Sequence, residues 1–339
     1  MMMAYDLPMA IFFGYDNRAT KDGSGAQVQR IFAIYSITKF VGVRFANQEI
    51  IEIDFNPGDG IETHAQMQEY VGRLNSFLLF LNDAQPSSPI IKRISFVHAF
   101  QYKWFNHIFF SYMKFQSKVV KRDYLYLISN PYPFIEKYPH VYSHMNYISP
   151  FHKTGPRQET ISIQLHIGRA KVSENHLSER FTGDEWYLRI LDEITAAITS
   201  SGKEYKILIH TDLTEKKIWE VPKGANQETI KYWSDSGIID SQGRLELQDL
   251  SELSGFDRYK NLSIVSSIDP ISAWRIMSEA DFLLIGKSSF SFVGALLNNK
   301  GLVISPKFWH KGPESWLTLE QGGEISNHKL ALYTRSLRY

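Results

Sequence analysis

The sequence predicts a two-domain α/β protein built on parallel sheets. Apolar strand candidates alternate with amphipathic helices along its whole length, and a proline-rich stretch interrupts the alternation near the middle. At 339 residues the chain also has the length of about two domains. Hydrophobic residues at 43% and charged residues at 22% describe an ordinary globular composition and exclude long disorder and coiled coil.

The elements follow in order. Ala10–Gly14 reads as a short strand, followed by a polar, glycine-bearing loop from Tyr15 to Gly25 and a helix from Ala26 to Phe40. Strand, glycine loop and helix open an α/β layer. Ile50–Phe55 reads as the next strand, Gln66–Asn82 as a helix, and Ile90–Phe100 and Tyr124–Ser129 contain two further strands. Five prolines then fall between Pro131 and Pro156, interleaved with Tyr132, Phe134, Tyr142 and Tyr147. That density opposes regular helix and central strand, so the inter-domain connection is placed here, with domains 1–155 and 156–339. The rings suit packing between domains or stacking on sugars.

In the second half, Ile161–Ile167, Tyr205–His210, Leu262–Val265, Phe282–Gly286 and Leu302–Ser305 read as strands. Asp184–Ser200, Asn226–Ser236, Pro270–Ala280 and Phe290–Asn298 read as the helices between them. Asp269 is the expected N-cap of the third, with Pro270 at its first position. Five strands with intervening helices predict an open parallel sheet covered on both faces.

Composition excludes several functions. With no cysteine, disulfides, thiolate catalysis and Cys-type zinc or Fe–S sites are excluded. A formal net charge of +1 offers no global field for nucleic acid. The longest early apolar run, Met9 to Phe13, is too short for a signal core or a membrane span, and a cytoplasmic location is expected. His140 and His144 are four apart, but Pro139 and the absence of a nearby carboxylate set argue against a metal there. Between His328 and Tyr339, Lys329, Arg335 and Arg338 alternate with apolar residues, a pattern that suits an anionic membrane or a helix packed on the body.

Ligands of open parallel sheets bind beyond the carboxyl ends of the strands. Three such ends are polar here: His166-Ile167-Gly168-Arg169 with Lys171, His210-Thr211-Asp212, and Gly286-Lys287-Ser288-Ser289-Phe290-Ser291. The last enters a helix whose free amides, hydroxyls and Lys287 suit an anion, a diphosphate above all.

These residues resemble a known family. His166–Arg169 followed by Phe181–Tyr187, the Ala280-Asp281 strand with Ser288-Ser289-Phe290-Ser291, and Gly23-Ser24-Gly25-Ala26-Gln27 resemble, in order and spacing, three blocks of the α1,2-/α1,6-fucosyltransferases and their bacterial polysaccharide relatives. The resemblance implies a GT-B-like fold of two Rossmann-like domains facing across a cleft. It also implies GDP-fucose as donor, no metal, inversion at the anomeric carbon, and a glycan acceptor, lipid-linked in the bacterial relatives. By position it implies guanine contact for His166 and Asp269, diphosphate contact for Ser288, Ser289 and Ser291 beside Lys287, and donor contact for Asp212. The family's usual arginine two residues after the histidine is Gly168 here. Arg169 and Lys171 are therefore expected to stabilise the departing diphosphate, although lysine lacks arginine's two-point grip. Gly25, Tyr15, Asp16 and Asn17 are expected on the acceptor side. The base is unassigned among Asp16, His64, Glu174 and Glu179.

Rival readings are another nucleotide sugar as donor and a nucleotide- or glycan-binding module without catalysis. A Rossmann dehydrogenase is opposed by the missing third glycine after Gly23 and Gly25.

Overall fold

The computed structural model describes residues 10–320 except 19–21, 55–60, 62, 84, 96–101, 121, 152–159, 170–171, 173–177, 214–217, 223–224, 226, 236, 247–248, 267 and 309. The expected junction at 155/156, Lys171, Glu174 and the basic tail from 328 lie outside the described residues.

The first unit contains β1 (Ile11–Tyr15), α1 (Ser24–Val41), β2 (Arg44–Phe45), α2 (His64–Leu78), β3 (Ile90–Ile94), α3 (Lys103–Val120), β4 (Tyr124–Ile128) and α4 (Tyr132–Lys137). Its sheet is parallel throughout, in the order β2-β1-β4-β3. The second contains β5 (Ile161–Ile167), α5 (Asp184–Ser200), β6 (Tyr205–Thr211), β7 (Ile218–Glu220), α6 (Gln227–Asp235), β8 (Arg244–Glu246), β9 (Leu262–Ser266), α7 (Pro270–Ser278), β10 (Phe282–Ile285), α8 (Ser289–Leu297), β11 (Leu302–Pro306) and β12 (Leu317–Leu319). Its six-stranded sheet is also parallel, in the order β12-β11-β10-β5-β6-β9. With the β7–β8 hairpin set aside, this is the 3-2-1-4-5-6 order of doubly wound dinucleotide-binding sheets. The molecule is thus two Rossmann-like α/β units, a GT-B-like arrangement.

The strand alternation sorts side chains to two faces. Phe282, Leu284, Ile163, Leu165, Ile207 and Ile209 pack with Ile190 and Ile194 of α5 in one core. Leu283, Ile285 and Val303 face the other way and join a second core, which continues through α8 and α1 into Phe13, Tyr15 and Tyr126 of the first sheet. The two units therefore share a core. Its centre is α1, which carries apolar residues all round and is buried from Val28 through Ile37 on nearly every side, as such helices must be. At its start Gly25 meets the start of α8. A Cβ on Gly25 would lie 2.7 Å from both the Cα and the N of Phe290, so only glycine permits this approach.

Four expectations are corrected. Of the expected strand Ile50–Phe55, the described residues, 50–54, do not pair as a strand. Ile50 and Ile53 are buried, but the Asn75 side chain takes both backbone groups of Ile50, at 2.8 and 2.9 Å, and β2 fills the sheet position instead. The proline-rich stretch does form helix: α4 and a 3-10 segment at Pro139–Tyr147. Pro133 and Pro139 fall in first turns, where no N–H is needed. The aromatic helix α3 was not anticipated. Nor were β7, β8 and β12, which are three residues each.

Gly25→Ala is expected to cost about 1–3 kcal/mol in chemical denaturation, because backbone must give way. Gly72→Ala, in α2 with nothing within 4 Å of its added Cβ, is expected to stabilise by about 0.5–1 kcal/mol. Equal midpoints for the two variants would contradict the close approach.

Candidate functional site

In the second sheet, the connection after β5 passes to one face and the connection after β10 to the other, so a crevice opens between their carboxyl ends. His166 and Ile285 are register partners at that point. A cavity of about 680 Å³ opens there, within the roughly 300–1,000 Å³ usual for small-molecule sites. Its wall takes His166–Arg169, Thr211, Asp212 and Gly286–Phe290 from the second unit, and Asp22–Ala26, Arg30 and Tyr132 from the first.

Two helix starts open on this cavity. The N-cap of α1 is Gly23, which offers no side-chain cap, and Ser24 and Gly25 line the wall. The N-cap of α8 is Ser288, whose hydroxyl accepts from the Phe290 N–H at 3.2 Å, with Ser289 beside it on the wall. Each start carries about half a positive charge.

Four cations stand on the same wall: Arg30, Arg169, Arg180 and Lys287. Arg30 is paired with Asp22 and lies over the Tyr132 ring at 5.9 Å. Half-buried Lys287 meets no carboxylate within ion-pair distance among the described residues. Buried Arg169 donates through Nη2 to Asp184 at 2.6 Å and to the Thr182 carbonyl at 3.0 Å, and packs over Phe181 at 5.0 Å. Its backbone N–H donates to Asp212 at 2.6 Å. Asp212 therefore clamps the loop after β5 to the end of β6.

The His166 ring packs on Phe290, with centroids 5.2 Å apart. Burial, and then the neighbouring His210, push its imidazole down to about 3. Burial likewise lowers His210 to about 4, and its Nε2 meets the Gln164 side-chain oxygen at 2.9 Å. Gln164 donates its amide to the Ile276 carbonyl, so its oxygen is the acceptor and His210 the donor. Both imidazoles are neutral at physiological pH. His310, against Tyr132 at 4.2 Å, is pushed down to about 3 by burial and then by the charges of Arg30 and Arg180.

The structure thus gathers His166, Arg169, Asp212, Lys287, Ser288, Ser289 and Gly25 around one cavity. It does not bring the others there. Asp269 caps α7 by accepting from the Ser272 N–H at 3.0 Å and pairs with Arg73 at 2.7 Å. Ser291 is fully buried, its hydroxyl given to the Ser288 carbonyl at 3.1 Å. Tyr15 is fully buried and donates to Gln27. Asp16 is buried beside Arg93, and Asn17 donates to the Glu49 carbonyl. None of these five lines the cavity, nor do His64 or Glu179. Sequence reasoning missed Arg30, Tyr132 as a wall residue, and His310. Arg30 is one helical turn past the glycine loop, which was the available signal.

No family model matches the sequence, and no curated protein sequence matches it. Among solved structures it is similar to POFUT1 in complex with GDP (12% identity, 93% of this chain and 99% of that one, TM-score 0.41). It is also similar to the E. coli heptosyltransferase WaaC with ADP (9% identity, 97% and 100%, TM-score 0.36). A third likeness is to the Thermosulfurimonas dismutans KpsC, beta Kdo 2,4 transferase (11% identity, TM-score 0.27), which covers 54% of this chain and only 46% of that one. Likeness at this level does not transfer chemistry, which rests on the cavity residues.

The depressed histidines fix a sign for acid stability. The unfolded chain protonates at His166 and His210 near 6.5, while the native state does not until about 3 and about 4. Stability is fully present above about pH 6.5 and declines as pH falls toward 4, by up to about 1.4 kcal/mol per pH unit for each histidine. His210→Gln, which keeps an N–H for Gln164, is expected to halve that share of the slope in urea titrations at pH 4.5–6.5. An unchanged slope would mean that His210 is charged in the native state.

Proposed function

We propose that the chain is an inverting glycosyltransferase that works without a metal and transfers fucose from GDP-fucose to a glycan acceptor. The observation that carries the reading is the pairing of two helix starts with Lys287, Arg30 and Arg169 around a cavity at the switch point of the second sheet. Two positive helix ends with Lys287 directly before one of them suit a ligand with two or more negative charges, and a nucleoside diphosphate carries them next to a bond that can be broken. The sequence blocks that resemble the fucosyltransferases supply the choice of GDP-fucose.

In this reading the second unit (156–339) holds the donor and the first (1–155) the acceptor, with one change from expectation. Gly25, in contact with the α8 start, and Ser24, beside it on the cavity wall, are assigned to the donor phosphates. Cleavage of the sugar–phosphate bond puts positive charge on the sugar ring and negative charge on the departing diphosphate. Fixed dipoles and cations already in place stabilise that charge without reorganisation. The acceptor oxygen attacks from the opposite side and loses its proton to a base. Arg169 acts mainly by holding the β5 loop against the start of α5, and Lys287 with Ser288 and Ser289 meets the phosphates.

Calorimetric titration with GDP, UDP and ADP in EDTA tests the reading. GDP is expected to bind selectively, and Lys287→Ala to weaken it by about 10-fold or more, the worth of a charge-assisted hydrogen bond, with guanosine unaffected. Preference for UDP or ADP would remove GDP-fucose and keep the transferase. No nucleotide binding would overturn the reading.

A further inference from the structure

The long helix α3 has a face that the fold leaves uncovered. Met113 is buried, and Phe105, Phe109 and Phe110 pack against the shared core, with Phe110 6.2 Å from Phe13. On another side Trp104, Ile108, Tyr112, Phe115 and Val119 are each between 54% and 64% exposed. At roughly 100° per residue these five positions share an arc of about 80° that runs about 22 Å along the axis. Single exposed apolar residues are ordinary; a continuous stripe of aromatic and branched side chains marks a contact surface.

The charge around the stripe identifies its occupant. Between Asp83 and Asp123 the sequence has no acidic residue and seven basic ones: Lys92, Arg93, Lys103, Lys114, Lys118, Lys121 and Arg122. The chain as a whole carries +1, so everything outside this segment nets −6. Five of the seven, Lys103, Lys114, Lys118, Lys121 and Arg122, fall within α3 or directly after it in sequence, while Arg93 of β3 pairs with Asp16 at 3.5 Å. By helical register, positions 103, 114 and 118, with His107, fall on one strip directly beside it. No described helix is long and apolar enough to cross a membrane. A helix with an aromatic face bordered by lysines, lying along the surface of its domain, has the pattern that sinks to the headgroup boundary of an anionic bilayer.

We infer that α3 docks the protein on an anionic lipid surface, with Trp104, Ile108, Tyr112, Phe115 and Val119 inserted and the neighbouring lysines over the headgroups. This surface is separate from the cavity and stands whether or not the chain transfers sugar.

Vesicle co-sedimentation of the full chain tests it, with phosphatidylcholine vesicles and with vesicles containing about 30% phosphatidylglycerol. The expected result is binding at least ~10-fold stronger to the anionic vesicles, weakened by 0.5 M NaCl, as screening requires. Trp104→Ser/Phe115→Ser is expected to lose ~10-fold or more, and Lys103→Glu to weaken binding several-fold. Both variants change exposed residues, and unchanged thermal midpoints would separate lost docking from lost folding. If the double variant misfolds, quenching of tryptophan fluorescence by brominated lipid in the unmodified chain, compared with Trp104→Phe, reads insertion directly. Equal binding of the double variant and the original chain would overturn the proposal. So would absent lipid binding with concentration-dependent dimers that Trp104→Ser/Phe115→Ser abolishes, which would make the stripe a contact between two copies.

Discussion

The arrangement depends on the contact between the starts of α1 and α8. Two helix N-termini repel each other electrostatically, so their approach must be held by something else. Here it is apolar packing. Trp274 of α7 lies 5.4 Å from the Phe290 ring and donates its indole N–H to the Phe290 carbonyl at 2.9 Å. Tyr142 packs on Phe292 at 5.8 Å. The apolar residues of α1 then bury against α8 and the 3-10 segment. Gly25 removes the one side chain that would stand in the way. The core thus holds together two positive ends that an anion would relieve, and electrostatic preorganisation of this kind costs nothing at the moment a charge arrives.

The second sheet places that contact where a ligand can reach it. Because β5 and β10 are neighbours and their following helices lie on opposite faces, the sheet cannot close over its own carboxyl edge. Gln164 stabilises this edge from within the strand, bonded to Ile276 on one side and His210 on the other. Asp281, the acidic residue before β10, works at the opposite end, where its carboxylate accepts from the Ser162 N–H at 2.9 Å. It belongs to the register of the sheet and has no part in the cavity.

What could be read from the sequence follows the range of the interactions. β5, α5, β10 and α8 were legible because their apolar runs and caps are local, and α5 begins and ends where its pattern does. The strand ends His166–Arg169, Asp212 and Lys287–Ser289 were legible because polar residues directly after a buried strand have few other uses. The expected residues that stand away from the cavity share one feature: hydrogen bonds and ion pairs within the protein hold their polar groups. Asp269 is spent on a cap and on Arg73, Ser291 on carbonyls of its own loop, and Asp16 on Arg93. Arg30 and His310 were illegible for the opposite reason. Only the docking of α1 on α8 brings Arg30 to strand ends of the second unit more than a hundred positions away, and only the packing of His310 on Tyr132 joins that ring to the first unit. The segment Ile50–Asp54 looked like a strand because its isoleucines are buried, yet burial alone does not decide pairing once Asn75 satisfies the backbone.

Gly168 lies against the His166 ring and near Asp212. A Cβ there would stand 3.1 Å from Cε1 of His166 and 3.7 Å from Asp212, so a side chain at this position would press on the His166 ring beside the carboxylate that clamps the loop. The next residue, Arg169, cannot simply take over. Its N–H is held by Asp212 and its guanidinium by Asp184 and the Thr182 carbonyl, which points it at the start of α5. Among the described residues of this wall, Lys287 stands directly before α8 with no carboxylate in ion-pair distance. A lysine brings a point charge where arginine would bring a planar fork. Under the proposed function, orientation of a diphosphate would rest on the amides and hydroxyls at the two helix starts. That returns the specificity of the site to the contact at Gly25, which fixes how those two starts face each other.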